Sequence, residues 1–199
     1  MVDAVYGGEV LPVGSRRRNG VGWWGVLCLI ATEGSVFVYL LFGYYYFAAQ
    51  HGAGWLPSTH PSLKLSGPCT IDLVLSSLVI WWAEGGAKKG DRVRHLVGTG
   101  VTILMGVLFL VLELWEWSGK TFSAESGSYG SLFFTITGFH MAHVFVGIIM
   151  LSVVFAWSAA GFFNPRRHQP VTIAATYWHF VDVVWIAVFS TLYLTPYLW

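Results

Sequence analysis

The chain has 199 residues, 55% of them hydrophobic and 11% charged, with a formal net charge of +1. Soluble domains carry about a quarter charged residues, so a soluble fold this apolar would lack the polar surface to cover itself. A mean hydropathy of +0.62 points instead to a bilayer, and the near-neutral charge gives no reason to expect a nucleic-acid partner.

The first twenty residues form a glycine-containing tail that ends in Arg16, Arg17 and Arg18. The triple arginine invites a signal-peptide reading. The apolar stretch after it is too long for one, contains Glu33 and shows no convincing cleavage site. The tail is therefore expected to be cytoplasmic, with residues 21–199 as a single membrane domain. A span needs about 20 mostly apolar residues, and five segments qualify, at about 21–48, 68–87, 93–116, 129–158 and 171–195. The expected fold is an all-α integral membrane bundle of five transmembrane helices. Between the first two spans, the turn-rich segment 51–67 is expected to be an ordered loop.

Lysine and arginine fall in alternate connections. Arg16, Arg17, Arg18, Lys88, Lys89, Arg92, Arg94, Arg166 and Arg167 share one side, nine of the eleven basic residues, and the other side holds Lys64 and Lys120. Positive charge is retained on the cytoplasmic face, so the N-terminus is expected inside and the C-terminus outside.

A charge near the bilayer centre costs about 2.5–3.5 kcal/mol on insertion scales, so each ionisable residue there needs a partner or a neutral form. At 1.5 Å per residue, Glu33 lies ~18 Å from the inner end of its span, Asp182 ~16 Å, His179 ~12 Å, His143 ~21 Å and His140 ~26 Å. Glu33, His143, His179 and Asp182 could share one layer, with His140 a turn away. Interhelical hydrogen bonds that lock the bundle are the simpler reading for His140, His143, His179 and Asp182. For Glu33 that reading and a functional buried acid stand level.

Glu113 and Glu116 sit three apart on one face of the third span, close to its outer end, where partial solvation is expected. With His140 and His143 they suggest a di-metal bundle, but that pattern takes Glu and His from the same helix. Glu116 and His143 also differ in depth by ~15 Å, so no metal site is expected. Trp23, Trp24, Trp81, Trp82, Trp115, Trp117, Trp157 and Trp199 lie near span ends and read as interfacial anchors, with Tyr44 to Tyr46 packing at the same interface. Gly98, Gly100 and Gly106 would permit close helix contact. Two cysteines are too few for a disulfide framework, and Cys28, in an apolar run, is expected to be buried.

Several runs then carry a resemblance. YWHFVDVVW at 177–185, YGSLFF at 129–134, TGFHMAHV at 137–144 and Ala31-Thr-Glu33 resemble, in order and spacing, the heme–copper terminal oxidase subunit III family. The likeness extends from Val21 to Tyr193. The family often begins with two further helices, and this chain looks like its shorter five-helix bacterial form. Where many members read QxxEY in the third helix, this sequence has Glu113-Leu-Trp-Glu116-Trp117, and Gly34 follows Glu33 where bulkier side chains are usual.

The resemblance implies an accessory, non-redox subunit of a proton-translocating oxidase in the bacterial inner membrane. It would pack on oxidase subunit I beside other subunits, hold structural phospholipid, and support proton uptake and catalytic lifetime. Glu33 would be the buried acid of the lipid-holding region, with His140, His143, His179 and Asp182 holding the later helices together. Heme and copper are expected in partner subunits, with no catalytic residue or cofactor ligand on this chain. The electron donor, cytochrome c or a quinol, stays open. The alternatives are a same-fold accessory subunit of a nitric oxide reductase and an independent transporter. A transporter would be expected to show inverted repeats and broken helices, which the sequence lacks.

Overall fold

The computed structural model describes residues 21–55, 63–163 and 168–197. Five long helices account for almost all of them: α1 Val21–His51, α2 Leu63–Lys89, α3 Arg92–Ser118, α4 Ser128–Ala159 and α5 Gln169–Phe189. A single 3-10 turn, Gly52–Trp55, follows α1, while α5 runs on through a π turn, Ser190–Leu194, and a 3-10 turn, Thr195–Tyr197. All five are long and apolar enough to cross a membrane, and no strand occurs among the described residues. Residues 1–20, with Arg16 to Arg18, and Arg166 and Arg167 lie outside the described residues, as does part of the expected 51–67 loop.

The helices start and stop where local chemistry allows. Asp91 caps α3, its Oδ1 accepting from the Arg94 amide at 3.0 Å, worth about 1 kcal/mol. Gly90 adopts φ 77° between α2 and α3, a left-handed turn that a glycine makes without Cβ strain. The second helix differs from expectation. It begins at Leu63, five residues earlier than the sequence suggests, so Pro68 lies inside it. Proline removes one helical hydrogen bond, a loss that membrane helices tolerate because neighbouring hydroxyls and helices re-satisfy the backbone.

Packing places α5 at the centre. It lies against α1, α2 and α4, while α2 and α3 form a hairpin and α3 also packs on α4. More than half of the most apolar window of α5 is buried, against about a tenth of that of α1. Glycines set the closest approaches. A Cβ on Gly98 would lie 2.6 Å from the Ala83 Cβ, and one on Gly106 would lie 2.5 Å from the Trp178 ring. Gly100 meets only Phe155, at 3.4 Å.

The two ends of the bundle differ in charge. Arg92 donates to the Ala159 carbonyl and His95 bonds Ser158 at 2.7 Å, which sets the start of α3 beside the end of α4. The start of α1 joins them, with Gly22 against Ile173 of α5. Lys88, Lys89, Arg92 and Arg94 gather at this end, and Lys120 at the other.

Two expectations about α1 change. Cys28 is exposed, and Cys69 of α2 is the buried cysteine. The first helix buries only a narrow face, Val26, Phe37, Tyr44 and Ala48, and Cys28 lies about 200° round from Val26 at 100° per residue. Tyr44 belongs to that face and is fully buried rather than interfacial, packed on Trp55, Tyr45 and Tyr129.

Candidate functional site: polar groups around α5

The seam between α2 and α5 is built from indoles and hydroxyls in antiparallel register. Trp178 Nε1 donates to Ser76 Oγ at 2.8 Å, and Trp185 Nε1 to Thr70 Oγ1 at 3.0 Å. Each hydroxyl passes its own proton to a backbone carbonyl, Ser76 to Leu73 and Thr70 to Ser66. Donors and acceptors are thereby paired without any charge. The Trp178 ring fills the space left by Gly106 and Gly147.

Beside it, His179 Nδ1 and Ser77 Oγ are 2.5 Å apart. Asp182, one turn on, faces the same serine. Neither of its carboxyl oxygens meets hydrogen-bond geometry with a described residue. His140 is fully buried, and among the described residues neither ring nitrogen has a partner. Aromatic packing holds it instead: Trp185 at 4.8 Å, Phe109 at 5.7 Å and Phe37 at 6.4 Å between centroids. Hydrogen-bond locking therefore describes His179 and His143, whereas His140 is held by ring contacts and Asp182 by burial.

On the opposite side of α5, Glu33 of α1 meets His143 of α4, Oε2 to Nε2 at 3.2 Å. His143 Nδ1 lies 2.6 Å from the Phe139 carbonyl. A carbonyl only accepts, so Nδ1 carries a hydrogen. The Nε2 junction then needs one proton, held either by a neutral Glu33 acid or by an imidazolium facing a carboxylate. Both forms leave the pair with zero net charge. The Glu33 side chain is 35% exposed and that of His143 12%, so the pair sits at the edge of the bundle. Phe37 covers the His143 ring at 5.0 Å.

The expected single layer is thus two separate constellations flanking α5. Glu113 and Glu116 form a third, near the far end of α3, and partial solvation does not describe Glu113. Glu113 is 0% exposed. Glu116 Oε1 accepts from Lys120 Nζ at 2.6 Å and from the Tyr193 hydroxyl at 2.8 Å. The π turn carries Tyr193 to this position, and the short connection after α3 folds Lys120 back over the rings of Phe133 and Tyr193. Glu116 and His143 are not brought together. No group of three or more His, Cys, Asp or Glu among the described residues is arranged to hold a metal ion.

Sequence reasoning overlooked several of these residues. His95 lies inside α3 and inside the expected 93–116 span, buried and bonded to Ser158, and its place in an apolar span was the signal that it needed a partner. Lys120 was legible as the i+4 partner of Glu116. The α2 hydroxyls carried no signal beyond their presence.

The sequence profile described as cytochrome c oxidase subunit III matches residues 14–199. The cytochrome c oxidase subunit 3 of Loxodonta africana is 34% identical over 183 residues, 88% of this chain and 69% of its own length. That of Bos taurus is 34% identical over 177 residues, 85% of this chain and 68% of its own. The match runs over almost the whole sequence of this five-helix bundle, and the chain belongs to the cytochrome c oxidase subunit III family.

Proposed function

We propose that this chain serves as the non-redox subunit III of a heme–copper terminal oxidase, a complex that reduces dioxygen to water while translocating protons. The observation that carries this is the family match over residues 14–199, supported by relatives that are themselves subunits of cytochrome c oxidase. In this reading the chain packs on oxidase subunit I, holds phospholipid against its outer helices, and supports proton uptake and catalytic lifetime. Heme and copper reside in the partner subunits. Lys88, Lys89, Arg92 and Arg94, gathered where α2 ends and α3 begins, favour a cytoplasmic N-terminus, and in this reading the chain lies in the bacterial inner membrane.

The polar groups support a scaffolding role. Trp178, Trp185 and His179 tie α5 to α2, and the Glu33–His143 pair ties α1 to α4. The pair presents a partly exposed, net-neutral polar edge at mid-membrane depth, suited to a neighbouring subunit. Gentle detergent purification through a tag on this chain tests the assignment. Recovery of a large heme- and copper-containing subunit, seen by its optical spectrum and identified by mass, is the expected result. Copurification with a heme–iron reductase subunit, or recovery of the chain alone in every mild detergent, would overturn it.

A further inference from the structure

The end of the bundle that holds Lys120 contains a charge imbalance the scaffolding role does not use. Glu113 is 0% exposed, and neither carboxyl oxygen has a hydrogen-bond partner among the described residues. One turn along the same face, Glu116 Oε1 already accepts from both Lys120 and Tyr193. The groups within electrostatic range come from every element packed there: Cys69 and Asp72 on α2, Glu116 on α3, Tyr129 on α4, Tyr193 after α5, and Lys120 in the connection. Lys120 is the one cation among them, and its charge is committed to Glu116. A second carboxylate would stand uncompensated in a medium of low dielectric constant, which neither the geometry nor the apolar surroundings can support.

We propose that Glu113 is a proton-binding site, holding one exchangeable proton as a neutral acid with Lys120–Glu116 as its fixed ion pair. The proton comes from the aqueous phase at this end, and its O–H requires an acceptor. Glu116 Oε2, one turn along the same face, is a buried carboxylate oxygen without a hydrogen-bond partner among the described residues, and it is the acceptor we assign. Binding adds one proton to one carboxylate oxygen and releases nothing else. Loss of that proton would force a rearrangement of Lys120 or of Tyr193, so the site couples protonation to the packing of the π turn.

Infrared spectroscopy of the purified full-length chain, with whatever subunits accompany it, tests the site. The expected spectrum contains a carbonyl stretch of a protonated carboxylic acid that moves down in heavy water. That band should vanish in Glu113→Gln, persist in Glu33→Gln, and return at a shifted position in Glu113→Asp. Identical spectra for the wild type and Glu113→Gln in this region would overturn the proposal. So would a failure of Glu113→Gln to assemble, because a neutral amide replaces a neutral acid without adding or removing charge.

Discussion

The two sides of α5 solve the same problem differently. Toward α2, the hydrogen bonds made by Trp178 and Trp185 are neutral and short, one buried and one partly so, and the Trp178 ring presses into gaps left by Gly106 and Gly147. Toward α1 and α4, the principal polar contact is the Glu33–His143 pair, longer at 3.2 Å and open at its edge. Neutral groups can be enclosed on all sides once their hydrogen bonds are made. A pair that can become ionic is costly against lipid tails, so its open edge at this depth calls for a covering partner. The first arrangement makes a fixed core, and the second leaves a helix that can be covered by something else. The small buried face of α1 fits that division.

The comparison is broken most severely by Trp178→Ala. The indole is 0% exposed and occupies the space of two glycines, and removing it also orphans the Ser76 acceptor. Large-to-small substitutions of buried aromatics cost about 3–5 kcal/mol, and the purified protein should melt at a clearly lower temperature in detergent. A melting temperature equal to that of the wild type would show that the α2–α5 seam is not the core. Ser76→Ala acts on the same seam with less volume. It leaves the Trp178 N–H buried without an acceptor, a penalty of about 1–3 kcal/mol that lies nearer the lower figure in membranes. Thermal melting of Ser76→Ala should therefore fall between that of Trp178→Ala and that of the wild type.

How much of this was legible beforehand follows from what each signal measures. Helix number came from hydropathy, which depends on length and composition alone, and five apolar runs gave five helices. The alternation of basic connections followed from the same count. Helix ends were harder: apolarity put the start of the second span at 68, yet the helix begins at Leu63 under tertiary constraints that hydropathy does not see. Depth along each span placed Glu33 and His143 at similar heights, and the two residues do meet. Depth carries no information about azimuth, which is why His179 and Asp182, at comparable heights, belong to the other side of α5. Azimuth also decides Cys28 and Tyr44, whose burial depends on which narrow face of α1 turns inward. The enclosed state of Glu113 was hidden because Tyr193 reaches its neighbour Glu116 through a π turn, and no periodicity announces one.

The smallest expected effects, and the sharpest test of the α1 side, come from a pair of substitutions at Glu33. Glutamine keeps a polar terminus whose N–H can donate to His143 Nε2, with the Nδ1 hydrogen still on the Phe139 carbonyl. Assembly and melting of Glu33→Gln should then differ from wild type by less than about 0.5 kcal/mol, since hydrogen bonds between membrane helices average about 0.6 kcal/mol. Alanine removes the partner altogether, and Glu33→Ala should lose about 1 kcal/mol, the lower range for a buried group left unpaired. The difference between the two variants matters more than either value. If glutamine and alanine are equally harmful, His143 faces a carboxylate as an imidazolium and the charge itself holds α1 in place. If only alanine is harmful, the pair is a neutral hydrogen bond, and α1 is attached by the same uncharged chemistry that binds α5 to α2, differing only in how much of it is enclosed.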